Sequence, residues 1–256
     1  MIIFDRNLLI KRRERTSDSL YKADFLIKRS FENILERLSE MSREFPRVWN
    51  LGSRIEIKEQ LKHKGVIEII QSDISPDSLN ILRIDEENIP ILEQKFDLII
   101  SILNLHLVND LPGCLVRLKE NLSQNGVLIA SIFGGNNLQE LRETITETEL
   151  NLFGGISPRM TPNIEIKQLG GLMQRAGFLS PVIDSDIIEV HYKSPIDLLY
   201  DIKNMGEANI LLDRNKSYLG KNFWQFFSKN YINNFSINEN EIMANYEILT
   251  MTGIKN

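Results

Sequence analysis

Apolar positions recur with two different periods along this chain. Between Ser17 and Met41, residues Leu20, Phe25, Leu26, Phe31, Ile34, Leu35 and Leu38 fall at helical spacing, which predicts one or two amphipathic helices that stop before Pro46. The runs RVWNL (47–51), VIEII (66–70), FDLIISI (96–102) and GVLIASIF (126–133) are short and β-rich, with helical or polar stretches between them. That alternation predicts an α/β fold, a mostly parallel sheet with helices on both faces. Helical patterns follow at 111–126, closed by Asn125 and Gly126, at 138–152, and at 165–178, where Gly177 ends the helix. Two late runs, 180–192 and 246–254, read as further strands expected to pair antiparallel at the sheet edge. Residues 1–45 thus form an N-terminal helical segment covering the core. Residues 46–256 form one domain whose helical insertion at 195–240 could act as a lid over the carboxyl edge of the sheet.

Composition narrows the function classes. With 256 residues, 42% of them hydrophobic, the chain can bury a sizeable core. A net charge of -5 argues against a protein whose main work is holding a nucleic-acid backbone. The basic stretch IKRRER (10–15) reads either as a solvated helix face or as a contact for anionic lipid or an acidic partner. One cysteine, Cys114, excludes an intramolecular disulfide and a cysteine-based zinc site, which fits a cytoplasmic, reducing setting. The N-terminus does not read as a signal peptide, because Asp5 and Arg6 interrupt its apolar run. No stretch is apolar enough for a membrane span.

Candidate chemistry lies at the strand ends. In a doubly wound sheet a nucleotide-like ligand sits across the carboxyl ends of the first strands, with glycine beneath it and an acid on the ribose. Here Gly52 ends the first strand, Asp73 the second and Asp85 the expected third. Asp73 could accept ribose hydroxyls or could cap a helix beginning at SPDSL (75–79).

The words IDEENIP, KFDLIIS, LNLHLVNDLP and LKENLSQNGVLIASIFGGNNLQELR resemble the class I S-adenosylmethionine-dependent methyltransferases. GGISPRMTP, LGGLMQRAGF, DSDIIEVHY, DIKNMGEAN and the opening IFDRNLLIKRRER extend the resemblance, more narrowly, to the methyltransferase-like assembly factors of respiratory complex I. The resemblance implies a Rossmann-like seven-stranded sheet. It also implies an S-adenosylmethionine pocket made by Asn50, Gly52, Ser53, Asp73, Asp85, Glu86, Ser101 and Leu103. It leaves two enzymatic readings: modification of an arginine of a complex I subunit, as mitochondrial members of that family hydroxylate one, and methylation of a small-molecule or acyl-carrier carboxyl, as other relatives methylate an acyl-carrier-bound malonyl group. A complex I subunit is the implied partner, with at most peripheral contact at the inner membrane.

The first motif departs from the family. In WNLGSRIEI, Asn50 stands where an acid is usual, and Arg54 and Glu56 replace the last two glycines. Side chains there would obstruct a close approach of the methionine moiety. This departure favours a third reading, a non-catalytic chaperone that retains the fold. Arg54 could alternatively pair with a carboxylate.

Catalytic candidates follow from position. His106 is expected to face the transfer site as a general base or substrate contact, with a structural histidine as the alternative. Asn104 could orient a substrate amide. Arg142 and Arg159 could clamp a carboxylate or phosphate, and Arg142 could instead pair along its helix. Glu207 could meet a guanidinium from the insertion. Asn109 and Asp110 are read as caps of the helix starting at Leu111. His63, His106 and His191 lie far apart without a carboxylate at ligand spacing, so no iron site is read and no metal is expected. Trp49 and Trp224 are read as core or insertion packing.

Overall fold

The computed structural model describes residues 2–75 and 81–256. In chain order the elements are α1 (Arg6–Thr16), α2 (Phe25–Glu40), β1 (Arg47–Leu51), α3 (Lys58–Leu61), β2 (Glu68–Asp73), β3 (Leu82–Arg83), β4 (Phe96–Ile102) and α4 (Leu111–Asn121). They continue with β5 (Leu122–Phe133), α5 (Gln139–Phe153), α6 (Ile166–Arg175), β6 (Leu179–Tyr192), α7 (Pro195–Asn204), α8 (Gly220–Phe235), β7 (Ser236–Asn238) and β8 (Glu241–Ile254). Strands β1 and β4 span the residues their apolar runs delimit, because a strand buried on both faces reads as a continuous apolar word.

Seven strands lie on one path in the order β3-β2-β1-β4-β5-β8-β6, and a short β7 pairs with β8 off that path. The pairs β1–β2, β1–β4, β2–β3 and β4–β5 are parallel, while β5–β8 is antiparallel with Val127 opposite Ile254 and Phe133 opposite Ile248. The two late strands β8 and β6 are neighbours at that end of the sheet, with β8 inserted between β5 and β6 and β6 at the edge. Expected strand β3 is only two residues long and ends before Asp85, which lies in the turn that follows.

One further boundary differs from its sequence pattern. Helix α4 stops at Asn121, not at Asn125, and Leu122–Gly126 join β5. Fully buried Asn121 ends it: its side-chain nitrogen donates to the Pro90 and Arg117 carbonyls and its oxygen accepts from the Leu92 N–H. Leu122 then pairs with Phe96. At the other end Asp110 is the cap expected of it, accepting from the Gly113 N–H at 3.0 Å.

The chain divides into two compact units. A sheet unit comprises Phe25–Gly134, Ile164–Asp186 and Ile248–Asn256; a helical unit comprises Met1–Asp24, Gly135–Asn163 and Ile187–Glu247. In the sheet unit, Trp49, Leu51 and Ile99 share a core with Cys114, Leu115 and Leu118 of α4 and Leu169 and Met173 of α6. The alternate residues Val48, Leu98 and Ile100 point to the other face and are equally buried, and α2 packs on β4 and β5 through its apolar stripe. In the helical unit the core runs along α8 through Phe223, Phe227 and Tyr231, spaced by four so that they fall on one helix face.

The basic stretch of α1 is not a uniform solvated face. Arg13 is buried and Arg12 half-buried, which leaves Lys11 and Arg15 exposed. Burial, and then the neighbouring Arg214, lower the Arg12 pKa.

Candidate functional site

The carboxyl ends of β1, β2 and β4 carry the cluster of buried polar groups expected there, all within the sheet unit. Parallel register sets their directions. Asn50 and Gln71 share one sheet face, and Leu51, Ser72 and Ser101 share the other. Past Leu51 the chain turns through Gly52, whose φ of 71° is left-handed and favours glycine. The Gly52 and Ser53 N–H groups both donate to the Ser72 carbonyl, at 2.7 and 2.9 Å, so the turn is pinned to the end of β2.

Side chains reinforce that turn. Asn50 Nδ2 donates to Ser53 Oγ and Ser53 Oγ donates to Gln71 Oε1, both at 2.8 Å. Gln71 Nε2 in turn donates to Glu56 Oε2 at 3.1 Å. Glu56 Oε1 accepts the Ile57 and Lys58 N–H groups at 3.1 and 3.0 Å, so this exposed residue caps α3. The residue that replaces a family glycine thus commits its carboxylate to a helix terminus and to Gln71. Glu59, the carboxylate on α3, pairs with Lys62.

The floor of the cluster comes from β4 and the segment after β3. Leu103, at φ 45°, turns sharply out of β4, held by its N–H on the Ser131 carbonyl and hydroxyl. That turn carries Asn104 inward, where it is fully buried and donates through Nδ2 to Glu86 Oε1 at 2.9 Å. Glu86 is itself fully buried. A Cβ on Gly52 would lie 2.3 Å from both Cγ and Nδ2 of Asn104. The room that this glycine leaves is therefore used by Asn104, a side chain of the protein itself.

The acids are also placed by local turns. Asp73 is buried and its Oδ1 accepts from the Ser75 N–H at 2.7 Å; Asp85 Oδ1 accepts from the Glu87 N–H at 3.0 Å. The SPDSL helix that Asp73 could cap lies, from residue 76 on, outside the described residues. Asn109 donates from its backbone and side chain to Glu87 Oε1, both at 2.8 Å, so it braces the 85–89 segment and is not the α4 cap.

Two buried atoms of this cluster, Asn50 Oδ1 and Ser101 Oγ, have no hydrogen-bond partner among the described residues. Unpaired buried polar atoms are costly, and these two, directed to opposite faces at the ends of adjacent central strands, suit a ligand that lies across the carboxyl edge of the sheet and brings donors. Ribose hydroxyls and an amino group are such donors. Together with Asp73, Asp85 and Glu86, the residues present fit S-adenosylmethionine, with the room at Gly52 narrowed by Asn104.

His106 lies in a single 3-10 turn after β4, buried, its ring edge-on to Phe133 with centroids 4.9 Å apart. Asn104 and His106 belong to the sheet unit; Arg142 and Glu207 belong to the helical unit. Arg142 Nη2 donates to the Thr161 carbonyl at 3.1 Å, bracing the loop after α5 in place of a helix-face pair. Arg159 is likewise committed: Nε and Nη2 lie 2.8 and 2.7 Å from Oε1 of the fully buried Glu149. Among the described residues no group of three His, Cys, Asp or Glu is placed to hold a metal ion.

Gln71, Ser72 and Glu87 escape the sequence reading, although each organises the site. A polar pair directly before a strand-end acid, as in IIQSD, is the signal for the first two.

Comparison with known proteins decides the family. The general methyltransferase domain matches residues 55–130, beginning just past the Gly52 turn. The mitochondrial arginine-hydroxylase NDUFAF5 of Rattus norvegicus is 35% identical over 268 residues, spanning 99% of this chain and 77% of the relative. The chain belongs to the NDUFAF5 family. Within that family its fold is that of class I methyltransferases. The YcgJ protein of Bacillus subtilis superposes with a TM-score of 0.58 at 13% identity, covering 90% of this chain and 99% of that one. A phosphoethanolamine N-methyltransferase of Haemonchus contortus, solved with phosphomonomethylethanolamine and S-adenosylhomocysteine, gives 0.54 at 12% identity over 96% of this chain and 59% of that one. Among the described residues no helix is long and apolar enough to cross a membrane.

Proposed function

We propose that this NDUFAF5-family protein binds S-adenosylmethionine at the carboxyl ends of β1, β2 and β4 and modifies an arginine of a respiratory complex I subunit during assembly. The observation that carries the cofactor half is the pair of buried, unpartnered atoms Asn50 Oδ1 and Ser101 Oγ at adjacent strand ends. The arginine half rests on the rat relative's being an arginine-hydroxylase. In this reading Asp73 holds the ribose hydroxyls and Asp85 and Glu86 face the adenine amino group. Asn50, Gly52 and Ser53 flank the methionine moiety, and Ser101 and Leu103 form the floor. When bound, the cofactor supplies an electrophilic methyl on a sulfonium. His106 is the candidate to hold or move a proton and Asn104 to orient the acceptor. Any membrane contact is peripheral, and the working compartment is the cytoplasm or its face of the inner membrane.

A second reading, a non-catalytic assembly chaperone, is favoured by one observation: Asn104, hydrogen-bonded to Glu86, fills the space in front of Gly52. Calorimetric titration separates the two. S-adenosylmethionine is expected to bind saturably and raise the melting temperature, and Asp73→Ala to weaken binding at least tenfold. No saturable binding at millimolar ligand would overturn the cofactor reading. Mass spectrometry of the acceptor subunit then distinguishes a gained methyl from a gained oxygen, and an unmodified subunit leaves the chaperone.

A further inference from the structure

Helix α8 presents two apolar stripes, and only one is used by its own fold. Phe223, Phe227 and Tyr231 are buried, their rings packed in succession along the helix. A second stripe lines a groove of about 610 Å³ together with Ile196 of α7. Trp224, Ser228 and Ile232, four residues apart, form one ridge of that groove. Lys221, Gln225, Lys229 and Asn233, again four apart, form the neighbouring ridge. The stripe is about 18 Å long at 1.5 Å per residue.

Two features of the stripe indicate what would occupy it. Ser228 is the smallest residue on the ridge between Trp224 and Ile232, and Trp224 is packed edge-on by Phe223 and Phe227 while 37% exposed. Its polar ridge offers donors and carries two lysines, with no carboxylate lining the groove, in a chain whose net charge is -5. Among the described residues, neither lysine side chain has an ion-pair or hydrogen-bond partner.

We propose that the α7–α8 groove docks an acidic amphipathic helix of a partner protein, with one apolar side chain seated over Ser228 and carboxylates on Lys221 and Lys229. Helix ridges into helix grooves is the ordinary packing of such a pair, and matched charge sets its register.

The test uses the full chain and a fluorescein-labelled designed helix with a leucine stripe flanked by glutamates. Its counterpart carries lysine at every glutamate, and vesicles of phosphatidylglycerol in phosphatidylcholine form the third arm. The acidic helix is expected to bind saturably in the micromolar range, weakening with added salt. Trp224→Ala is expected to weaken it about thirtyfold, as for a buried aromatic anchor. The double change Lys221→Glu/Lys229→Glu is expected to weaken it at least tenfold, and Ser228→Arg to abolish it, while exposed Lys216→Glu outside the groove leaves it unchanged. All these positions are at least partly exposed, and matched melting curves confirm that each variant folds. Equal binding of the lysine helix, binding to vesicles but not to the acidic helix, indifference to the groove variants, or no saturation at millimolar peptide would each overturn the proposal.

Discussion

Gly52 and Asn104 form a coupled pair whose energetics follow from the geometry. In Gly52→Ala the new residue is held at a φ of 71°, which costs about 1–2 kcal/mol for a non-glycine. Its Cβ would lie 2.3 Å from Asn104 Cγ and Nδ2, so Asn104 must move and release Glu86. Losing a hydrogen bond to a buried carboxyl group costs about 1.5–3 kcal/mol. The single change is therefore expected to destabilise by about 2.5–5 kcal/mol, adding the two terms. Asn104→Ala alone loses the bond without the backbone strain, about 1.5–3 kcal/mol. In the double variant the bond is lost only once, so its cost stays near about 2.5–5 kcal/mol and falls short of the sum by about 1.5–3 kcal/mol. Urea unfolding with linear extrapolation resolves a difference of that size. Additivity within about 0.5 kcal/mol would refute the direct contact that this reasoning rests on.

Two other expectations concern groups of the helical unit. Arg159→Leu strands the fully buried Glu149 carboxylate, which among the described residues then keeps only the Ser157 N–H, and should cost about 3–5 kcal/mol in a urea melt; a loss below about 1 kcal/mol contradicts the ion pair's structural role. Burial pushes the hydroxyl pKa values of Tyr192, Tyr231 and Tyr246 upward, and Tyr192 and Tyr246 also share a hydrogen bond at 3.0 Å. The folded state then holds protons that the unfolded state loses above pH of about 10, so stability is full below that pH and falls as pH rises through it. Tyrosinate absorbance should show three of the six tyrosines resisting ionisation until the protein unfolds, and smooth titration of all six in the folded protein would contradict this burial.

The sequence by itself determined the class of fold and the order of its parts. Buried parallel strands write themselves as continuous apolar words, so β1 and β4 are legible to the residue, and capping groups such as Asp110 mark a helix start locally. Strand-end positions of Gly52, Asp73 and Ser101 follow from the same words. What lies in short or long-range pairings is not legible. The two residues of β3 have too little pattern to detect, and the insertion of β8 between β5 and β6 depends on a pairing between segments more than a hundred residues apart. The partners of Glu56 are likewise set only by the fold: its carboxylate accepts from the start of α3 and from Gln71. Only the tertiary structure decided that Asn104 occupies the room beside Gly52 and that Arg142 and Arg159 are committed to Thr161 and Glu149. Which partner a polar side chain takes is set by distances across the fold, and residue spacing along the chain does not carry them.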